Sequence, residues 1–164
     1  MKKSFFCLCL GLVTCFTQAN AREVTQTTGQ SLYLPIYSHV TYGDTHKAGR
    51  HSITLLSAMV SIRNTDRKNP IKILSAKYYD TDGNLLRHYV SKPVLIKPFA
   101  TSEIFVDSSD KFGGSGASFV MEWSSEAPVS APVVEAVHIS ATSGRSLALK
   151  TVATEILPPA SGSQ

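Results

Sequence analysis

Between residues 53 and 89, apolar and polar side chains alternate with a period near two, and two clusters of turn-forming residues interrupt the pattern. Leu56, Ala58, Val60 and Ile62 alternate with Ser57, Met59, Ser61 and Arg63, as expected of a strand in a sheet with one buried face. The segment 53–62 also holds good helix formers, but its serines and flanking turn residues favour a strand. Asn64, Thr65 and Asp66 end it, because short polar side chains bond nearby amides and reverse the chain. Asn69 before Pro70 reopens an extended run, since the residue preceding a proline is pushed out of the helical region. A second strand over 71–79 meets Asp80-Thr81-Asp82-Gly83-Asn84, and a third begins at Leu85. Asp-Gly between two apolar runs predicts a hairpin, since both residues tolerate positive φ.

The same alternation extends to either side. Over 31–42, Leu32, Leu34, Ile36, Val40 and Tyr42 share one face, with Ser38 as the exception. Tyr33, Pro35, Tyr37 and His39 share the other, and Pro35 places this strand at a sheet edge. Residues 22–30 are polar and without period, which predicts a flexible lead-in. After the hairpin, Lys92-Pro93 and Lys97-Pro98 bracket Val94-Leu95-Ile96. Ile104 and Val106 share a face of the next strand, and a glycine-bearing flexible loop spans 108–118. Phe119, Met121 and Trp123 alternate with Val120 and Glu122; Pro128 and Pro132 frame a further connection. Val133, Val137 and Ile139 share one face with Glu135 as its odd member, and Leu147, Leu149 and Val152 supply a last strand.

About eight short strands between turn clusters predict an all-β fold, a two-sheet antiparallel β-sandwich that is immunoglobulin-like in general architecture. The sandwich is expected over 31–155, with a disordered tail over 156–164. The Cys–Trp–Cys signature of antibody domains is missing.

The N-terminus supplies an address. A basic start, Met1-Lys2-Lys3, precedes an apolar run over 5–16, and Ala19 and Ala21 form the small-residue site of signal peptidase. That order predicts a cleaved secretory signal peptide over 1–21. The run is too short for a permanent span, which needs ~20 residues, so no transmembrane segment is expected in the mature chain. Leu12-Val13-Thr14-Cys15 resembles a lipobox, but Thr14 departs from the small residue preferred there, so soluble export is favoured over lipid anchoring through Cys15. Cys7, Cys9 and Cys15 all fall in the leader, leaving the processed chain without disulfide, thiolate ligand or cysteine nucleophile. Removing Lys2 and Lys3 from 16 Lys and Arg, against 12 Asp and Glu, leaves 14 − 12 = +2. That excess is spread without a basic cluster, which argues against a nucleic-acid face.

SIRNTDRKNPIKI, AKYYDTDGNLLRHYV, the Lys-Pro pairs, and GGSGASFVMEW followed by PVVEAV together resemble a family of small exported bacterial proteins classified as a domain of unknown function. The resemblance covers residues 31–144 and implies a single extracytoplasmic domain with no catalytic or ligand residues to carry over. The strand closing in Asn-Thr-Asp and the Asp-Gly hairpin are also loosely similar to Ig-like sandwiches of the water-stress-protein type, a likeness of fold alone.

Four clusters could carry chemistry. His39, Asp44, His46 and His51 have the ligand types for a divalent metal such as zinc or copper, at intervals that match no established motif. Asp80 to Asn84 resembles the start of a calcium loop, yet the twelfth position is Ser91 rather than a bidentate glutamate. Gly113-Gly114-Ser115-Gly116-Ala117 nearly spells a nucleophile elbow, but a strand follows where a helix is needed. Tyr33 and Tyr37 could form an aromatic stripe on an edge strand that meets a partner. The expectation is a non-enzymatic binding or assembly module of the bacterial cell envelope, without cofactor, whose partner is an envelope protein or a glycan. A periplasmic metal-binding protein using the histidine region is the alternative.

Overall fold

A computed structural model describes residues 26–44, 49, 51–142 and 144–158. The expected signal peptide with Ala19 and Ala21, His46 and the last six residues lie outside them. Among the described residues, every regular element is a strand, and no helix is long and apolar enough to cross a membrane.

Two antiparallel sheets form the sandwich. The larger contains β12 (Thr154–Glu155), β1 (Gln26–Ile36), β9 (Ala117–Ser130), β5 (Ile71–Tyr79) and β6 (Leu85–Val90) in that order. A short β7 (Val94–Ile96) pairs with the start of β5, where β6 does not reach. The smaller sheet runs β11 (Arg145–Val152), β10 (Val133–Thr142), β4 (Ser57–Arg63), β8 (Thr101–Val106). A separate ribbon, β2 (His39–Tyr42) with β3 (Ser52–Leu55), stands beside it. The inner faces meet in one core, with Leu34, Tyr78 and Phe119 from the larger sheet against Val60, Ile62 and Ala136 from the smaller. Burial of these apolar surfaces stabilises the fold by ~25 cal/mol per Å².

In β4 Ala58, Val60 and Ile62 are buried and Met59 is exposed, as expected, but Ser61 on the outer face is covered as well. In β5 the parity changes, from Ile71 and Ile73 to Ala76 and Tyr78, because a bulge against β9 lies between Ile73 and Ser75. One extra residue shifts the phase of every later side chain.

The structure corrects several expectations. The run over 31–42 is two strands in different sheets. Strand β1 already starts at Gln26, inside the expected lead-in, because Gln26 and Thr27 pair with Ser130 and Val129. Strand β9 continues through Pro128 for the same reason, leaving only Ala131 and Pro132 as a connection. The Asn64 turn carries the chain from the smaller sheet to the larger rather than closing a hairpin. The β5–β6 turn has positive φ at Gly83 alone, at 83°. The Gly83 amide donates to the Asp80 carbonyl at 3.1 Å, so the bend is a type I turn followed by a left-handed glycine. The tail is anchored at its start, where the Ile156 amide donates to Ser31 at 2.8 Å.

Strand β10 inverts the expected face. Val134, Ala136 and His138 point inward, while Val133 and Ile139 are exposed. Glu135 belongs on this outer face because it pairs with Arg63 from β4 and with Lys150 from β11, the latter at 3.0 Å. Both cations hold its carboxyl below the usual range, Lys150 most strongly.

Candidate functional site

Placed on the fold, His39 stands apart from Asp44 and His51, while His46 lies outside the described residues. The ribbon register sets His39 opposite Leu55 and Tyr42 opposite Ser52, so His39 stands at the base, whereas Asp44 and His51 flank the tip. At ~3.3 Å per residue, His39 is too far along the strand to join them on one ion. No trio of metal-ligating side chains converges among the described residues.

The acidic hairpin serves its own turn. Asp80 Oδ1 accepts from the Asp82 amide at 2.9 Å and the Asn84 amide at 2.7 Å, and Oδ2 accepts from Asn84 Nδ2 at 3.0 Å. The Asn84 side chain, followed by its amide, keeps this carboxyl below the ordinary value.

The glycine loop is tethered, contrary to the flexible connection expected. Gly113 is buried, and its carbonyl accepts from the Thr81 amide at 3.0 Å and the Thr81 hydroxyl at 3.1 Å. Strand β9 begins at Ala117, so the exposed Ser115 has no helix behind it.

The two tyrosines do not form one stripe. Tyr33 is 39% exposed and sits opposite Thr154 of β12. Tyr37 lies past the end of β1, edge-on to His138 with ring centres 5.8 Å apart. Pro35 stands beyond the reach of β12, and the Thr151 hydroxyl donates to its carbonyl at 2.8 Å.

His138 is buried, and its Nε2 accepts from the Tyr37 amide at 3.2 Å. That bond places the proton of the neutral ring on Nδ1. Burial pushes its pKa below the ordinary histidine value, against a smaller opposing pull from the Leu149 backbone. The folded pKa is depressed, so the unfolded chain binds more protons as pH falls below ~6.5, and stability declines from there toward the folded pKa. Thermal unfolding at pH 7.5 and pH 5 should show a drop in Tm that shrinks in His138→Leu. A drop of unchanged size would refute this reading.

The feature that combines shape with exposure lies where the ribbon leaves the smaller sheet. An open cleft of ≈ 680 Å³ is bounded by Tyr42, Ile53, Thr54 and Leu55 on the ribbon side, and by Ile139, Ser140 and Ala141 of β10 opposite. Ser57 and Ser108 complete it. Among the described residues the lining is hydroxyl and hydrocarbon, without a charged side chain. Exposure is 57% at Ile53, 49% at Tyr42 and 44% at Ile139, so apolar surface lies open to solvent here. It continues along the outer sheet face through Met59 and Phe105, which sit opposite each other on β4 and β8. A second depression, ≈ 390 Å³, is polar and bounded by the 65–69 turn and Pro128. There Asp66 Oδ1 already accepts from the Lys68 and Asn69 amides, at 2.8 and 2.7 Å.

Sequence reading missed the cleft because its residues are split among β2, β3, β4, β10 and the loop after β8. One signal was available: Val133, Val137 and Ile139 recur at even spacing on a face that also holds Glu135. A charge on an apolar face is the mark of an outward surface.

This architecture is an open two-sheet antiparallel β-sandwich. The chain belongs to the family described as protein of unknown function, DUF3124, whose model matches residues 29–156. No curated protein matches the sequence. The crystal structure of Thermotoga maritima 1070 is similar at 13% identity and a TM-score of 0.44, over 76% of this chain and 92% of that one.

Proposed function

We propose that this protein is an exported, non-enzymatic binding or assembly module of the bacterial cell envelope, and that the cleft beside β10 receives its partner. The observation that carries the reading is the uncharged cleft itself, with Ile53, Leu55 and Ile139 exposed along it. Exposed apolar side chains gathered in a concave site gain burial when a partner covers them. Export is supported by the basic, apolar and small-residue order of residues 1–21.

The test offers envelope extract to immobilised wild-type protein and to Ile139→Asp, which places a charge on the outer face without entering the core. Wild type should retain a discrete partner that the variant loses. Retention of nothing by wild type, or equal retention by both, would reject the proposal.

A further inference from the structure

Strand β4 pairs with β10 from Arg63 opposite Val133 to Ser57 opposite Ile139, and there the ladder stops. Strand β10 continues through Ser140, Ala141 and Thr142, still paired with β11. The chain on the β4 side instead turns away at Leu56, whose amide donates to the Ser38 carbonyl at 2.9 Å, and enters the ribbon as β3. The smaller sheet is therefore split, and the cleft is the gap between β10 and β3.

The direction of the backbone groups along β10 follows from two bonds. The Ser57 hydroxyl donates to the Ile139 carbonyl at 3.2 Å, so Ile139 presents its main-chain groups to the β4 side. The Ala153 amide donates to the Val134 carbonyl at 2.9 Å, so even-numbered residues face β11. Main-chain groups alternate sides along an antiparallel strand. Ala141 accordingly directs its N–H and C=O into the split, and among the described residues no strand pairs with it on that side. By the same alternation from Leu56, Leu55 and Ile53 direct theirs into the gap from the opposite wall.

We infer that this split is a strand-accepting slot, in which an extended peptide segment of a partner protein forms main-chain hydrogen bonds with Ala141 and lies between β10 and β3. The inference rests on the binding role of the cleft proposed above, and names the partner's chemistry. Unpaired strand groups are the template for β-addition. The lining adds the side-chain preference: short apolar and hydroxyl residues fit against Ile53, Thr54, Ile139 and Ser140, and among the described lining residues none offers a charge of opposite sign.

The probe is a capped, fluorescent peptide of about eight residues, alternating threonine and valine, titrated into the chain lacking its leader. Binding should appear below about 1 mM, and the Ala141 amide should gain protection from hydrogen exchange. Methylating alternate peptide nitrogens should weaken binding by about tenfold or more, because each loses a donor but keeps its side chain. Ala141→Pro should weaken it similarly, while Ala141→Ser retains the donor and binds as wild type; thermal unfolding verifies that both variants fold. No binding up to that concentration overturns the slot. Equal binding of the methylated peptide, with loss in Ile139→Asp, also overturns the slot while leaving the cleft as a binding site. Failure of the envelope capture with an intact peptide result rejects the envelope role alone.

Discussion

Replacing Asn64 with leucine is expected to destabilise the domain by about 3–5 kcal/mol. Asn64 is 2% exposed and stands where the chain passes from one sheet to the other. Its Nδ2 donates to the Asn69 carbonyl at 2.9 Å and the Ile96 carbonyl at 3.2 Å. Its Oδ1 accepts from the Asp66 amide at 2.9 Å. One side chain thus holds the 65–69 turn and the connection from β7 to β8 against the end of β4. Leucine fills the volume but leaves the buried Ile96 carbonyl, and the part-buried Asn69 carbonyl and Asp66 amide, without their partner, and a fully buried orphan costs ~1–3 kcal/mol. Thr65→Ala, at the exposed neighbour, should stay within ~0.5 kcal/mol. Urea unfolding measures both, and a loss below ~1 kcal/mol for Asn64→Leu would show that the turn holds without it.

The second large effect is at Gly113. A Cβ added there would collide with the Tyr78 hydroxyl and would lie 2.6 Å from Ser38 Oγ. Those two hydroxyls are hydrogen bonded to each other at 3.1 Å, and the Ser38 amide donates to Gly114 at 3.0 Å. Gly113→Ala must therefore part the core ring of Tyr78 from the segment joining β1 to β2, at a cost of about 3 kcal/mol. Gly43 has positive φ, at 75°, but open space around it, so Gly43→Ala should cost only ~1 kcal/mol. The decisive experiment adds Tyr78→Phe. Alone it removes the bond to Ser38 and costs ~1 kcal/mol; in the Gly113→Ala background it removes the nearest colliding atom and should recover part of the loss, because Ser38 Oγ at 2.6 Å and the Tyr78 ring carbon at 2.9 Å still crowd the added methyl. Additive losses in the double variant would refute the steric explanation.

These two sites differ in how far they could be read in advance. Asn64 was legible as a turn residue, because a short amide after an alternating strand is suited to bonding neighbouring amides. Its bond to Ile96, thirty-two positions away, was not, since nothing local encodes which loop will lie beside it. Gly113 read as part of a soft loop, whereas its lack of a Cβ answers to Tyr78 on another strand. The candidate site shows the same division. The alternation of β4 and the turn chemistry at Asp80 were readable residue by residue, but the distance of His39 from Asp44 and His51, and of Tyr33 from Tyr37, follows only from which strands pair.

By itself the sequence determined the local matters: a strand-rich chain, the Asp80 hairpin, and the buried faces of β4 and β9. Period-two alternation and turn propensity act over a few residues, so they can be read from a few residues. Tertiary structure alone decided that Ser38 divides one apparent strand into two, that β10 buries its even-numbered face with His138, and that β3 swings away from β10 to open the cleft. Each of these depends on which strands become neighbours. Pairing partners are chosen by burial and main-chain hydrogen bonding across the whole domain, over separations at which a linear pattern carries no signal.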